Sequence, residues 1–295
     1  MFMAIVESGS FTKASEKLHV AQPSVSLQIH LLEEELGELL FLRMRNRTIQ
    51  LTEAGKMLKE RADLILRQFQ IARMEISAIS REPTGQIRIG IGGHQLTSML
   101  PPALRDFRLR YPRIHVKLVN GTTPHIVELL KTNNLDLGVV TFPLSTDELR
   151  LESLFSEDMV VVVKKPHPLT RKQTISPAEL ASLPLILYDE STRTRTKMDQ
   201  FFRDAKIAPQ AVLELSSVQS MLMMAEAGLG ATIIPASAML GARERGGLHT
   251  LRISGRRLTR EVGIAMPKVS PLPRVVEDML RMVSQRFREI RSQLL

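Results

Sequence analysis

The chain has 295 residues, 43% of them apolar, with no cysteine, no tryptophan and a formal net charge of +9. That length suggests about two domains with cores of their own, and the lack of cysteine excludes a disulfide framework, thiolate zinc sites and a cysteine nucleophile. No apolar run reaches the roughly 18 residues of a membrane span, and the N-terminus lacks the basic and apolar regions of a signal peptide, so a cytoplasmic protein with no membrane partner is expected. Residues 1–85 hold 11 Lys/Arg against 11 Asp/Glu, residues 86–240 hold 17 against 15, and residues 241–295 hold 12 against 5. The basic excess is therefore C-terminal, and any case for nucleic acid must rest on local pattern. Ten Phe and two Tyr are too few for a single-strand binder built on stacked bases.

Residues 1–82 predict helix, ending at the breaker Pro83-Thr84-Gly85. Ser10–Leu18 predicts a short helix with Ala14 and Leu18 on one face. His19-Val20-Ala21 is a tight connector, and Gln22-Pro23 opens a second helix whose apolar stripe is Val25, Ile29, Leu32 and Leu36. Two short helices across a three-residue turn, the second starting with small polar residues, predict helix-turn-helix geometry, in which the second helix enters the major groove. Arg43, Arg45 and Arg47 alternate along the next segment, and a β-wing would project them towards phosphates or a narrow minor groove. In isolation such a triplet reads equally as a solvated face; its place after the helix pair favours DNA. Thr52–Arg81 predicts one long helix with Thr52 as N-cap. Its apolar side (Met57, Leu58, Leu64, Ile65, Phe69, Ile71, Ala72, Ile76, Ile79) exceeds that of a free surface helix, so a partner helix is the economical cover; packing on the chain's own C-terminal part is the alternative.

Beyond residue 85, Gln86–Ile91, Ile114–Val119, Leu135–Thr141, Met159–Val163, Leu183–Tyr188, Gly230–Ile234 and Val262–Ala265 predict strands. Helical patterns at Ala103–Tyr111, His125–Thr132, Thr196–Ala205 and Val218–Ala227 lie between them. This alternation predicts an α/β region with largely parallel sheets. Ser176-Pro177-Ala178-Glu179 predicts a helix start with a capping box.

Gly9-Ser10-Phe11-Thr12, Ala14, Leu18, Ala21-Gln22-Pro23-Ser24-Val25-Ser26, Gln28-Ile29, Leu32-Glu33, Leu36-Gly37, Leu40-Phe41, Arg43 and Leu51-Thr52-Glu53-Ala54-Gly55 together resemble the LysR-type transcriptional regulators. Weaker likeness continues through Ile89-Gly90, Leu100-Pro101, Phe107, Tyr111-Pro112, Leu135-Asp136-Leu137-Gly138, Ala227-Gly228-Leu229-Gly230 and Ile234-Pro235. The resemblance implies an all-α winged helix-turn-helix domain over 1–55, a linker and dimerisation helix over 56–82 and an α/β effector-binding domain over 86–295. That domain would have two Rossmann-like lobes resembling periplasmic solute-binding proteins, lobe 1 at about 86–161 and 265–295 and lobe 2 at about 162–264, with crossings near Val161–Val163 and Val262–Ile264. It further implies double-stranded operator DNA, a small-molecule inducer and RNA polymerase as partners, a homodimer or homotetramer paired through antiparallel linker helices, and more often activation than repression.

Carried over residue by residue, Gln22, Pro23, Ser24, Ser26, Leu27 and Gln28 are expected to face the major groove, and Arg43, Arg45 and Arg47 to grip the backbone or minor groove as a group. Leu27 replaces an arginine common in the family and offers only apolar contact, for instance to a thymine methyl. The wing is about one residue longer than the commonest form. Family members usually carry several residues ahead of the position of Phe2, so either the first helix is short or the start lies upstream. For the effector, ligands in open α/β sheets sit at the carboxyl ends of strands, beside helix N-termini. Gly92, His94, Gln95 and Thr97 follow the first strand; Thr122, Thr123 and Thr141 should face the same cleft from lobe 1, and Ser191, Arg193 and Ser217 from lobe 2. Gly92 and His94 stand where the family often places Ser or Thr, which implies a different inducer. Each hydroxyl ahead of a helix also reads as a simple cap. The donors together point to a small anion such as a carboxylate, with Arg193 as its partner.

No cofactor and no catalytic or metal site is expected. The seven histidines show no metal-ligand spacing, no hydrolase or phosphate-loop motif occurs, and Asp136 reads as a structural hydrogen-bonding residue. A cytosolic solute-receptor protein whose N-terminal helices bind another protein is the alternative function. Arg252, Arg256, Arg257 and Arg260 read as a solvated face ahead of a second DNA contact, and the methionines, Met221, Met223 and Met224 among them, as core filler.

Overall fold

The computed structural model describes residues 1–42, 49–79, 83–92, 99–240, 247–268 and 272–294. Arg43, Arg45, Arg47, His94, Gln95 and Thr97 lie outside the described residues. Two compact units divide the chain, Met1–Ala72 and Arg73–Leu295.

The first unit starts with three helices, α1 (Phe2–Ser8), α2 (Phe11–Leu18) and α3 (Gln22–Leu36). The Ser10 side chain caps α2 by accepting the Lys13 N–H, and His19 turns the chain in a left-handed conformation at φ 54°. Pro23 sits in the first turn of α3, where its missing N–H costs nothing. Val25 and Ile29 of α3 pack with Phe2, Ile5, Ala14, Leu40 and Phe41. Leu32 is only partly buried and Leu36 is exposed, because the last turn of α3 runs past that cluster. A two-stranded ribbon, β1 (Phe41–Leu42) against β2 (Gln50–Leu51), is antiparallel with Phe41 opposite Leu51. Thr52 then starts the long helix α4 (Glu53–Ile79). Its hydroxyl accepts the Gly55 N–H at 2.9 Å and donates to the Leu39 carbonyl at 2.5 Å, so one side chain fixes both the helix start and the chain before the ribbon.

The second unit is a mixed sheet with helices on its faces. Lobe 1 contains β3 (Gly85–Ile91), α5 (Leu100–Arg110), β4 (Ile114–Asn120), α6 (Thr123–Lys131) and β5 (Leu137–Phe142). The 16-residue strand β6 (Leu149–Lys164) then carries the chain onward. Lobe 2 contains β7 (Thr174–Ile175), α7 (Pro177–Ala181), β8 (Pro184–Tyr188), α8 (Arg193–Asp204), β9 (Gln210–Leu215), α9 (Val218–Ala227), β10 (Ala231–Pro235) and β11 (Leu248–Ile253). The chain returns through β12 (Thr259–Pro267) and finishes with α10 (Arg274–Leu294). Strand order is β4-β3-β5-β12-β6-β10-β8-β9, with β11 on the other edge of β6 and β7 beside it.

Pairing is parallel among β3, β4 and β5 and among β8, β9 and β10. It is antiparallel wherever β6 or β12 takes part. The expectation of largely parallel sheets therefore holds only for the β3–β5 and β8–β10 sets, because within each lobe a pass of β6 or β12 runs against its neighbours. Sheet partners change between Asp158 and Met159 on β6, and β12 pairs only within lobe 1 from Thr259 onward. The crossings thus fall a few residues before Val161–Val163 and Val262–Ile264, and the apolar run at 159–163 is already core strand of lobe 2. Asp136 is structural: its carboxylate accepts the Arg88 N–H at 2.7 Å, and its own N–H donates to the Arg88 carbonyl at 2.9 Å. The capping box at Ser176 and Glu179 forms as predicted.

Candidate functional site

Two places carry chemistry, one in each unit. In the first, Gln22, Pro23, Ser24, Leu27 and Gln28 on α3 are exposed, and Ser26 is half-buried. The Gln22 amide donates to the Ser26 hydroxyl at 2.9 Å, which orders the first turn. Val25 and Ile29 hold the opposite face in the core, so the helix offers a polar row with Leu27 and Leu31 as exposed apolar neighbours. Buried Glu33 accepts the N–H groups of Leu40 at 2.7 Å and Phe41 at 3.3 Å. Phe41 in turn packs against Phe2 and Phe11, with ring centroids 5.3 and 5.5 Å apart. The base of the two-stranded ribbon is thereby fixed to α3.

The second place is a cavity of about 300 Å³ between the two lobes. It lies at the carboxyl ends of β3, β4, β5, β8 and β9, where the parallel strands of both lobes open. Gly92, Thr122, Thr123, Thr141, Arg193 and Ser217 all line it. Ser191 does not; it is exposed, with its N–H donated to the Asp189 carboxylate at 2.9 Å, and the Ser191 side chain and then this N–H hold the Asp189 carboxyl below its usual range. Three helices begin at the cavity wall: α6 from lobe 1, α8 and α9 from lobe 2. Thr192 caps α8 and Ser217 caps α9, so the cap reading is right for Ser217. The Thr122 side chain makes no cap hydrogen bond. The Thr123 hydroxyl accepts the Thr141 N–H at 3.0 Å, locking the start of α6 to the end of β5. First-turn N–H groups have no intrahelical partner, and each helix start carries partial positive charge. No Asp or Glu is among the lining residues, and the Arg193 Nε is enclosed with no hydrogen-bond partner among the described residues.

Tyr188 and Arg260 are among the lining residues that the sequence reading did not assign. Tyr188 ends β8, and the rule of strand carboxyl ends could have flagged it. Arg260 was grouped with a solvated cluster, and this is corrected. It is buried, pairs with the equally buried Glu157 at 2.6 Å, and Glu157 takes the Ser237 N–H at 3.0 Å on its other oxygen. Arg257 grips Asp158 through two hydrogen bonds, Arg256 pairs with Asp204, and Arg252 is exposed. Met221 is core and Met224 packs against it, whereas Met223 is exposed. Among the described residues no group of three His, Cys, Asp or Glu could hold a metal ion, and no helix is long and apolar enough to cross a membrane.

Residues 1–56 match the bacterial regulatory helix-turn-helix protein, lysR family, and residues 80–288 match the LysR substrate binding domain. The chain belongs to the LysR family of transcriptional regulators. It is 31% identical to the HTH-type transcriptional regulator AlsR of Bacillus subtilis, over 80% of this chain and 79% of that protein. It is 32% identical to the Hca operon transcriptional activator HcaR of Escherichia coli, over 79% of each chain. Among solved structures, full-length CbnR complexed with its target DNA superposes with a TM-score of 0.72 at 25% identity, covering 97% of both chains. This LysR regulator therefore joins a DNA-binding helix-turn-helix domain to an effector-binding domain, and the family consists of regulators, not enzymes. The match over residues 1–56 displaces the solute-receptor alternative.

Proposed function

We propose that this regulator reads operator DNA with α3, responds to a small anion held between its lobes, and works as a homodimer or homotetramer in the cytoplasm. Gln22, Pro23, Ser24, Ser26, Leu27 and Gln28 face the major groove, and Arg43, Arg45 and Arg47 grip the backbone or minor groove. The exposed apolar row of α4, with Ile65, Phe69 and Ile76, is the surface on which a second copy pairs. Two-fold pairing then presents two α3 helices to half-sites about 34 Å apart or a multiple of it. The partner in activation is RNA polymerase.

One arrangement carries the effector reading. Three helix starts and Arg193, whose Nε has no hydrogen-bond partner among the described residues, converge on one cavity whose described lining holds no carboxylate. Partial charges at helix starts and a guanidinium fork suit a carboxylate or another small oxyanion. At about 300 Å³ the cavity is at the small end of ligand sites. The test is fluorescence anisotropy of the full chain on DNA from directly upstream of its own gene and on scrambled DNA, at two salt concentrations, with and without small carboxylates. Preference for the upstream fragment by ~10³-fold or more, altered by one of the carboxylates, is the expected result. Equal, weak and strongly salt-dependent binding to both DNAs would overturn the operator reading.

A further inference from the structure

Helix α3, read as the helix that enters the major groove, contains no Lys or Arg and three glutamates. The chain has neither Lys nor Arg anywhere between Lys17 and Arg43. Duplex DNA carries one negative charge per ~1.7 Å of its axis, so a helix of this composition approaches it against repulsion. Only one side chain on α3 can become positive, His30. Imidazole is the side chain that ordinarily changes charge between pH 5 and 8. The structure places it where a positive charge is useful. Gln22, Ser26, His30 and Glu34 follow one another four residues apart and form one row along the helix. The Gln22 amide donates to the Ser26 hydroxyl at 2.9 Å, and His30 Nε2 lies 3.4 Å from a Glu34 oxygen. His30 thus extends by one turn a row that starts with two residues of the DNA face, and its side chain is 60% exposed.

A groove of about 1020 Å³ runs beside this row, lined by Gln22, Ser26 and His30 from α3, by Lys13 and Glu16 from α2, and by apolar residues at the base of the ribbon. In a helix-turn-helix the first helix crosses the phosphate backbone, so a groove shared by α2 and α3 suits a strand of phosphates. Glu33 also borders it, with its carboxylate held by the Leu40 and Phe41 N–H groups. With His30 neutral, the described ionisable groups about the groove are one positive, Lys13, against three negative, Glu16, Glu33 and Glu34. Arg43, Arg45 and Arg47, beyond the described residues, stay charged across this pH range and make no contact pH-dependent. We propose that protonated His30 is a phosphate contact of α3 and makes operator binding pH-dependent. A phosphate favours the imidazolium, so the complex holds more protons than its separate parts, and affinity rises as pH falls through the imidazole range. This rests on the reading of α3 as the operator-reading helix and adds to it a residue and a pH response.

The test is fluorescence anisotropy of the full chain on the upstream fragment and on scrambled DNA, over a salt series at about pH 5.5 and about pH 8. On the upstream fragment the wild type should show a log–log salt slope steeper by about one unit at the lower pH. Its operator affinity there should be roughly tenfold higher. In His30→Gln, slope and affinity should match the wild type at the higher pH and no longer move with pH. His30→Lys should show the steep slope at both pH values. The position is exposed and both replacements are good helix formers, so circular dichroism should be unchanged. A response carried by His19 or by the Met1 amine would survive in His30→Gln. Three outcomes overturn the proposal while operator preference stands: a wild-type slope independent of pH, a pH response that survives in His30→Gln, or a His30→Lys slope no steeper than that of His30→Gln. Equal and weak binding to both DNAs at both pH values fails the operator reading instead, and this inference with it.

Discussion

Gly55 shows how closely the helix-turn-helix unit is drawn together. A Cβ at that position would lie 2.1 Å from the Leu40 carbonyl oxygen, which also accepts the Thr52 N–H at 3.1 Å. The obstacle is backbone that holds the base of the ribbon, so it cannot swing aside as a side-chain tip would. Gly55→Ala is expected to destabilise the first unit by about 1–3 kcal/mol, the usual cost of overpacking. Hydrogen exchange on α1 to α3 should detect this, and unchanged protection there would contradict the close approach. Glu179 makes an electrostatic prediction. Its hydrogen bond to Lys172, then those from Ser176, lower its pKa from 4.5 to about 2. A folded pKa below the unfolded one contributes stability that is complete above about 4.5 and lost as pH falls towards 2. Because the carboxylate is exposed, solvent screens the effect and the stability change is small. The titration itself is the better readout: carbon NMR should place the Glu179 midpoint near 2, and Lys172→Met should move it up. A wild-type midpoint near 4.5 would refute the ion-paired box.

At the level of elements, α4 carries the clearest unmet surface. Ile65 is 67% exposed, Phe69 61% and Ile76 66%, spaced four and seven residues apart on one side of a 27-residue helix. Burying one large apolar side chain contributes about 1.5–3 kcal/mol, and a two-fold interface counts each position twice. Phe69→Ser should therefore raise the dimer dissociation constant by roughly two to four orders of magnitude while leaving the helix intact by circular dichroism. Sedimentation velocity decides it; association unchanged from wild type would mean that another face pairs. Most elements were legible in the sequence where a local signal existed: Pro23 in the first turn, Thr52 at the head of α4, the capping box at Ser176, the apolar runs of β3 and β8. What was missed has a physical reason. The first half of β6, Leu149–Asp158, mixes polar with apolar residues because it pairs only with β12 and is partly exposed, and only its buried end, Met159–Val163, forms an apolar run. Strand β9 lies at the sheet edge with most of its residues exposed. Arg260 sits among other arginines in sequence, and its partner Glu157 is 103 residues away, a pairing no local pattern reveals. The hydroxyls at the cavity were legible because strand ends and helix starts mark them; Tyr188 was hidden as the last apolar-looking residue of a core strand.

For the whole molecule, the question is how a ligand between the lobes could alter DNA binding. The lobes are joined through adjacent antiparallel passes, tied where the Met159 N–H donates to the Leu258 carbonyl at 2.8 Å. The cavity is lined from both sides, by the start of α6 from lobe 1 and by Arg193 and the starts of α8 and α9 from lobe 2. On the proposed reading, a bound acid favours lobe arrangements in which both sets of donors reach it, and it shifts the population only by its differential affinity. Linkage makes this quantitative. If a carboxylate changes operator affinity by some factor, operator DNA must change carboxylate affinity by the same factor. Arg193→Gln removes a lobe 2 contact and leaves the helix-turn-helix untouched, so operator affinity without carboxylate should equal that of the wild type while the response is lost. Arg45→Ala should do the reverse: it should flatten the log–log salt dependence by about one unit on operator and scrambled DNA alike, with carboxylate affinity unchanged on the free protein. Measuring both affinities, each with and without the other ligand, separates these cases. Equal factors in the wild type, and a factor of one in Arg193→Gln, are the expected result. If Arg193→Gln instead weakens operator binding in the absence of any acid, Arg193 supports the DNA-binding state directly and the division of labour between the units is wrong.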